Sequence, residues 1–260
     1  MTEIYPGDCL ELMKNIPDHS VDMVLCDLPY GMTRNAWDVP IPLEMLWEQY
    51  RRICKAGAPV ILHGQQPFTT DLITSNRRDF KYVYYWNKHT AGNFLNAKIQ
   101  PLRLIEEICV FYTRQPVYHP PVKRRERPSV VTRGVSSSSN YGRQPRRGGQ
   151  QMYDTVTQNN LLDFGKRPSP GSHPTAKPIE LLEHLILTYT DPGAIVLDNC
   201  MGSGSTGVAC INTGRNFIGI EKDPEYYEVA KARLVRAADK KAAEEKQAAE
   251  KQTAEQEEKS

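Results

Sequence analysis

Long apolar runs are missing from this chain. No run in its 260 residues approaches the roughly 20 apolar residues that a membrane-spanning helix needs, and the mean hydropathy is −0.56. The N-terminal segment MTEIYPGDCLELMKN is acidic and is interrupted by Pro6 and Gly7. It therefore lacks the basic and then apolar pattern of a secretory signal. We expect a cytoplasmic protein without a membrane partner.

Paired cysteine motifs are also missing. The six cysteines stand at positions 9, 26, 54, 109, 200 and 210, and no two of them form a C-x-x-C pair. This spacing predicts neither a zinc knuckle nor a disulfide framework. We therefore predict no metal site and expect most of the cysteines to be small buried hydrophobic residues.

The chain has little net charge, but its charges are unevenly distributed. Its length and its mass of 29.5 kDa suit one large domain or one domain with an insertion. The formal net charge is +2, yet residues 115–170 hold ten basic and three acidic side chains, a net +7 that leaves −5 for the rest. An acidic body with a concentrated basic segment indicates a surface that binds a polyanion.

Strands and helices alternate in the first half of the chain. Short β-branched and aromatic runs predict strands, and apolar residues at helical spacing predict helices. The predicted strands cover 21–26, 58–64, 81–88 and 105–113, and the predicted helices cover 43–57 and 67–75. This alternation is typical of an α/β domain with a parallel sheet.

The alternation stops at 115–170, where proline, glycine, serine and arginine dominate. We expect a long loop, a small irregular lobe or a partly disordered segment there. The pattern then returns with a helix at 178–190, a strand at 194–198, a glycine-rich turn, a helix to about 213, a strand at 215–221 and a helix at 223–236. We therefore predict four segments: two halves of one α/β domain at 1–114 and 171–236, a basic insertion at 115–170, and a polar tail at 237–260 that is helical or disordered.

A glycine-rich turn follows the strand at 194–198. The segment LDNCMGSGSTG sets Gly202, Gly204 and Gly207 in a G-x-G-x-x-G frame, and Glu221 ends the next strand. Such glycines let backbone amides approach a ligand, while the acidic residue accepts hydrogen bonds from two ribose hydroxyls. The pattern suits any adenosine-containing cofactor, or a tight turn without a ligand. Only one strand and one helix follow before the tail, which argues against a nicotinamide dinucleotide.

A second turn, Asp27-Leu28-Pro29-Tyr30-Gly31, follows the strand at 21–26. Ligands of α/β sheets bind at the carboxyl ends of the strands, so we expect this turn beside the glycine-rich turn. A carboxylate and a proline carbonyl can both accept hydrogen bonds from one amino group, and a tyrosine offers a flat face to a planar ring. The alternative is a strand-ending turn with Tyr30 packed on the core.

The order DLPYG, HPTAKP (173–178) and LDNCMGSGSTG resembles the β group of amino-methylating DNA methyltransferases. The resemblance covers about residues 4–232, including GDCLELMKNIPDHSVD and NFLNAKIQPLRLIEEICVFY. It implies a Rossmann-like, S-adenosylmethionine-dependent fold that is circularly permuted, with the catalytic motif before the cofactor motif. It also implies that the basic segment is the target-recognition insertion.

The resemblance further implies a role for each matching residue. Asp27, the Pro29 carbonyl and Tyr30 would hold the flipped target base. The implied cofactor-binding residues are Asp8 for the adenine, Glu221 for the ribose, Asp198, Gly202, Gly204 and Ser205 for the methionine side, and Thr175 and Lys177 to close the pocket. Two departures stand out: Leu28 replaces the first proline of D-P-P-Y, and Asn199-Cys200 stands where the family has Pro-Phe.

Basic side chains of the insertion are the expected DNA contacts, because they neutralise phosphates and arginine also contacts guanine. They are Lys123, Arg124, Arg125, Arg127, Arg143, Arg146 and Arg147. For any single arginine, a solvated loop that serves solubility is an equal alternative.

The combined prediction is a restriction-modification type DNA methyltransferase, bacterial or phage-encoded, that methylates the exocyclic amine of a flipped adenine in double-stranded DNA. No Pro-Cys dipeptide occurs, which excludes cytosine-C5 chemistry. An aspartate at position 27 favours adenine in the resembled family. The alternatives are a cytosine-N4 enzyme, an RNA adenine methyltransferase and an inactive DNA-binding relative; a homodimer and a restriction endonuclease partner are left open.

Overall fold

The computed structural model describes residues 1–32, 38–132, 137–138, 142–143, 150–165 and 176–257. The chain divides into two compact units, Met1–His119 with Asn160–Ser260, and Pro120–Asn159. The larger unit contains an eight-stranded sheet, and the smaller unit contains two antiparallel strand pairs.

The strands of both units are, in chain order, β1 (Thr2–Pro6), β2 (Met23–Cys26), β3 (Val60–Gly64), β4 (Phe80–Gly92), β5 (Arg103–Phe111), β6 (Val122–Thr132), β7 (Ser137–Ser138), β8 (Gly142–Arg143), β9 (Gln150–Thr157), β10 (Leu161–Asp163), β11 (Ile195–Asp198) and β12 (Asn216–Glu221). The large sheet has the order β1-β12-β11-β2-β3-β5-β4-β10. Its neighbours are parallel, except that β5 runs antiparallel to β3 and β4. The sheet is therefore mixed, whereas the sequence pattern predicted a parallel sheet.

The helices are α1 (Cys9–Met13), α2 (Leu43–Ile53), α3 (Phe68–Ser75), a 3₁₀ turn (Phe94–Asn96), α4 (Ile179–Tyr189), α5 (Ser205–Thr213) and α6 (Pro224–Glu257). Within the described ranges, none of these helices is both long enough and apolar enough to cross a membrane.

Strand β2 shows why the sequence of a central strand is an unbroken run of apolar residues. Met23 and Leu25 belong to a buried cluster that includes residues of α4 and α5, on one face of the sheet. Val24 and Cys26 belong to a second cluster, with residues of α1 and α2, on the other face. Since successive strand residues face opposite sides, helices on both faces require apolar residues at every position.

The chain order and the sheet order differ in the way that the circular permutation predicts. Strand β11 lies far after β2 in the chain, yet it pairs with β2 in parallel. The alternating pattern predicted β2, β3, β11 and β12 close to their observed bounds. It missed β1 and the short helix α1.

The basic segment is more regular than its composition indicates, and the tail is helical, which is one of the two forms expected for it. Strands β6 and β9 form an antiparallel pair within the stretch expected to be irregular. Helix α6 continues without interruption to Glu257, and spaced pairs such as Lys240 with Glu244 line its exposed part.

Candidate active site

The two predicted turns meet at one edge of the sheet. Strands β2 and β11 pair through Met23 and Val196, and both end at this edge. The same ladder pairs Leu197 with Val24, so Cys26 at the end of β2 and Asp198 at the end of β11 lie within two residues of one paired position. The predicted proximity of the two turns is therefore confirmed.

Asp27 and Tyr30 are joined directly. The Tyr30 hydroxyl donates a 2.6 Å hydrogen bond to Asp27 Oδ1, and the Tyr30 ring lies 5.0 Å from the Phe68 ring, tilted by 30°. The turn is closed by Asp38, whose carboxylate accepts hydrogen bonds from the backbone amides that follow Tyr30, at 2.8 and 2.9 Å. Leu28, the departure from the family pattern, is buried.

Lys177 links Asp27 to a carboxylate that the sequence did not identify. Its ammonium group lies 2.9 Å from Asp27 Oδ2 and also donates to Glu106 Oε1. Glu106 is buried within β5, and Lys88 Nζ lies 3.6 Å from its other oxygen. The resemblance assigned Lys177 to the cofactor pocket, and that role stays a prediction. The alternation of β5 offers one signal for Glu106, since one of two adjacent glutamates must face inward.

Burial and neighbouring charges shift the pKa values of Asp27, Lys177 and Tyr30. Burial is the largest single effect on the pKa of Asp27 and acts to raise it, but the neighbouring positive groups, Lys177 foremost, and the hydrogen bonds from Tyr30 and Lys177 together outweigh it, so the pKa lies below its ordinary value. Burial acts to lower the pKa of Lys177, and Asp27 and Glu106 reverse that effect and raise it. Burial, with the Asp27 charge, raises the pKa of Tyr30. At neutral pH the carboxylate of Asp27 is therefore ionised, while the phenol of Tyr30 remains a hydrogen-bond donor.

His63 lies beside this cluster at the end of β3. It is 1% exposed, and its Nδ1 is 3.8 Å from Glu106 Oε1. Neither ring nitrogen hydrogen-bonds to any part of the chain that the structure describes. Burial, together with the charge of Lys177, lowers the pKa of His63 to about 4. The imidazole is therefore neutral at neutral pH.

The glycine-rich turn is anchored by Asp198. Its Oδ2 accepts a 2.6 Å hydrogen bond from Thr206 Oγ1, and its Oδ1 accepts from the Cys200 amide at 3.2 Å. Burial raises the pKa of Asp198 to about 6. Gly202 has φ +51°, and a Cβ there would meet nothing within 4 Å. Gly204 has φ +77°, and its Cβ would lie 3.1 Å from Ala230 Cβ on α6. The space above Gly202 is open, whereas Gly204 permits close helix packing.

Asp8, Gly202 and Glu221 lie together at the ends of β1 and β12. Glu221 Oε2 accepts a 2.8 Å hydrogen bond from the Gly202 amide, and its Oε1 accepts one of 2.8 Å from the Asp223 amide. The Gly7 amide bonds the Glu221 carbonyl at 2.9 Å and brings Asp8, the N-cap of α1, alongside. Burial raises the pKa of Glu221. Each carboxylate oxygen keeps acceptor capacity for a further donor, so the group fits two neighbouring hydroxyls.

The other predicted site residues that the structure describes lie on α5, in the turn after β2 and in the smaller unit. Ser205 begins α5, is buried, and receives a 3.3 Å hydrogen bond from Arg233. Pro29 is partly exposed. The predicted DNA contacts on strand β6 are exposed: Lys123, Arg124, Arg125 and Arg127. Arg143 lies in β8, while Thr175, Arg146 and Arg147 lie outside the described residues.

The Asn199-Cys200 departure has a structural counterpart. Asn199 is buried, and its Oδ1 accepts a 2.6 Å hydrogen bond from the Tyr50 hydroxyl of α2. Cys200 packs against the buried cluster that includes Cys9 of α1. These two residues therefore tie the glycine-rich turn to the helices on one face of the sheet.

Two relatives that are similar in sequence are named as methyltransferases. DNA adenine methyltransferase YhdJ of Escherichia coli K12 is 28% identical over 248 residues, which cover 89% of this chain and 82% of the relative. Type II methyltransferase M2.MboI of Moraxella bovis is 24% identical over 256 residues, which cover 88% and 86%.

Solved structures show the same architecture. The M1.HpyAVI–SAM complex matches with a TM-score of 0.63 and 25% identity, over 90% of this chain and 99% of that one. The PvuII DNA methyltransferase, which is cytosine-N4-specific, matches with a TM-score of 0.63 over 92% of each chain, and its 15% identity supports the fold alone. The model of the N6/N4 methyltransferase family, described as DNA methylase, matches residues 21–232. Because this match spans most of the chain, the protein belongs to the N6/N4 DNA methylase family of amino-methylating DNA methyltransferases.

Proposed function

We propose that this protein transfers a methyl group from S-adenosylmethionine to the N6 amine of an adenine flipped out of double-stranded DNA, at a specific sequence. The observation that carries the proposal is the pair of contacts that Tyr30 and Lys177 make with the Asp27 carboxylate, next to the glycine-rich turn. The name of the relative YhdJ favours adenine over cytosine. The target amine is buried inside a duplex, so the nucleotide must leave the stack.

The target base would be held by the turn after β2. Its amine would donate one hydrogen bond to Asp27 and one to the Pro29 carbonyl, which draws the nitrogen lone pair out of conjugation and towards the methyl donor. The Tyr30 ring would stack on the base. Because Tyr30 and Lys177 already bond Asp27, the carboxylate is oriented before the base arrives.

The cofactor would lie along the glycine-rich turn. Glu221 would accept the two ribose hydroxyls, Asp8 would approach the adenine, and the open space over Gly202 would admit the ligand. Asp198, Gly204 and Ser205 would shape the methionine side, with Thr175 and Lys177 closing the pocket. S-adenosylmethionine supplies a methyl group that its sulfonium already activates.

Transfer would release one proton from the amine. As the nitrogen bonds the methyl carbon, the carbon–sulfur bond of the donor would break and a neutral thioether would leave with the electron pair of that bond. The nitrogen would then be a strongly acidic ammonium group, and Asp27, its hydrogen-bond partner, would be the base. The carboxylate would take this proton and then release it to solvent. Lys177 favours the ionised form of Asp27 and so restores it for the next turnover.

The smaller unit would supply contacts to the DNA backbone. The exposed cations of β6 can neutralise phosphates without reading sequence. A DNA substrate also supports a cytoplasmic location, where that substrate is found in a bacterial cell.

The test is to incubate the purified protein with labelled S-adenosylmethionine and unmethylated duplex DNA, digest the product and identify the nucleoside. We expect N6-methyladenine, and sequencing of the product then gives the recognition site. Label in N4-methylcytosine would establish the cytosine alternative, and label in RNA only would contradict the DNA proposal.

A variant assigns the chemistry to Asp27. Asp27→Ala should abolish transfer while calorimetry still detects cofactor binding. Asp71→Ala, at an exposed position on α3, should behave as wild type. Retained transfer by Asp27→Ala would contradict the catalytic assignment.

A further inference from the structure

The loop between β4 and β5 displays large apolar side chains to solvent. In this 93–102 loop, Phe94, Leu95 and Ile99 are 73%, 86% and 81% exposed. The loop is nevertheless compact, because the Ala97 amide bonds the Phe94 carbonyl at 3.1 Å and the Ile99 amide bonds the Asn96 carbonyl at 2.9 Å. Exposed apolar groups clustered on a defined turn mark a binding surface.

The loop rises from the edge of the sheet that carries Asp27. Trp86 of β4 pairs with Glu106, and further along the ladder Gly92 pairs with Arg103. Counted along β5, the base of the loop at Arg103 therefore lies three residues, or about 10 Å, from Glu106 and its partner Lys177. Arg103 also donates a 3.0 Å hydrogen bond to Gln65, just after β3, which fixes the base of the loop.

The charge around the loop favours a polyanion as its occupant. Residues 93–105 include two cations, Lys98 and Arg103, and no carboxylate. In a symmetric pairing with a second copy of this chain, the same cations would face one another and repel. Duplex DNA offers phosphates for the cations and stacked bases for the apolar side chains.

We propose that the 93–102 loop is a wedge that inserts Phe94 or Leu95 into the duplex beside the target pair and fills the space that the extruded base leaves. The inference rests on the proposed function. Apolar side chains inserted between base pairs unstack the duplex, and such a contact would offset part of the cost of removing the target base from the stack.

Photocrosslinking tests the contact without requiring methyl transfer. Leu95→p-benzoylphenylalanine, illuminated with duplex DNA, should form a protein–DNA adduct. The same substitution at Val235, a 56% exposed residue of α6, is the matched control and should form none. An adduct between two protein copies, or no adduct at Leu95, would overturn the wedge. A DNA adduct from a protein whose wild type transfers no methyl group would refute the proposed function and leave the loop's DNA contact intact.

Kinetics test the role of the contact. The variant Phe94→Ala/Leu95→Ala should lower kcat about tenfold on a duplex with a paired target, because the protein no longer offsets the cost of unstacking the target base. The loss should shrink to less than about threefold when the target adenine faces an abasic site, since that base is already unpaired. Both side chains are exposed, so unfolding curves should match those of wild type. Equal losses on the two substrates would contradict the wedge.

Discussion

Lys177 determines the charge state of the predicted catalytic carboxylate, because its ammonium group lies against both Asp27 and Glu106. In Lys177→Met, burial of Asp27 is no longer offset, so its pKa rises. We expect the acid limb of the kcat profile to move to higher pH by about one unit or more. The measurement is the pH dependence of methyl transfer under saturating cofactor and DNA.

Two further variants separate charge from packing in this experiment. Lys177→Arg keeps the charge and should keep the acid limb near its wild-type position. Lys88→Met removes a lysine that contacts Glu106 at 3.6 Å, and it should not move the limb. A shift of the same size in Lys88→Met would show that Lys177 has no specific effect on Asp27.

His63 makes stability depend on pH. Its pKa is about 4 in the folded protein against 6.5 for the free group, because burial and the charge of Lys177 outweigh Asp27 and Glu106. The unfolded chain therefore binds the proton first as pH falls, and stability present above pH 6.5 is lost as pH falls towards 4. Relative to His63→Gln, wild type should lose about 3 kcal/mol of unfolding free energy over this range.

Urea unfolding of both proteins at several pH values between 4 and 7 measures this difference. The comparison is needed because buried Asp198, with its pKa raised to about 6, changes stability in the opposite direction over the same range. That contribution is common to both proteins and cancels. A difference that stays constant with pH would show that His63 is not buried as a neutral group.

Site residues within local motifs could be predicted from the sequence, whereas residues whose partners lie on other strands could not. Asp27, Tyr30 and Glu221 were predicted because each stands in or near a short motif at a strand end. Glu106 and His63 were not, because their environment arises only when β3, β5 and the segment before α4 come together. Strand alternation can indicate that Glu106 or its neighbour faces inward, but it does not show which distant side chains that residue will meet.

Among the elements, apolar periodicity identified the strands and helices that are buried on one or both sides. It missed β1, a five-residue strand that depends on pairing with β12. It could not give the direction of β5, since an apolar strand reads the same in either orientation. Apolar periodicity also missed the pair formed by β6 and β9. Strand β6 is largely exposed and basic, so its sequence has no apolar pattern.

The glycine-rich turn connects a strand to a helix under two different constraints, and two variants distinguish them. Gly204→Ala should destabilise the protein by about 1–3 kcal/mol, because it has φ +77° and its Cβ would crowd Ala230. Gly202→Ala carries only the conformational cost, about 1 kcal/mol, since its Cβ meets no atom within 4 Å. It should instead weaken S-adenosylmethionine binding, because its methyl group enters the proposed pocket.

Thermal unfolding and calorimetric titration of the cofactor provide the two measurements. The expected pattern is a larger stability loss for Gly204→Ala and a larger affinity loss for Gly202→Ala relative to its stability loss. Wild-type affinity in Gly202→Ala would show that the cofactor does not occupy the space above that glycine.

At the scale of the whole molecule, charge is divided between a basic insertion and an acidic remainder. Residues 115–170 carry +7 and the rest carries −5, so attraction to DNA should depend on the insertion and weaken with salt. The triple variant Arg124→Gln/Arg125→Gln/Arg127→Gln removes three exposed cations from β6. If each contacts a phosphate, the slope of log affinity against log salt should become shallower by about 3.

Fluorescence anisotropy with a labelled duplex, measured across a salt series, gives this slope. Lys246→Gln/Lys251→Gln changes two exposed cations of α6 and is the matched control. It should leave the slope at the wild-type value, because the acidic residues around these lysines cancel their attraction for phosphate. Equal effects of the two variants would mean that DNA senses only the total charge of the protein. An unchanged slope in the triple variant would place the phosphate contacts outside β6. A shallower slope confined to the triple variant would establish strand β6 as part of the DNA-binding surface.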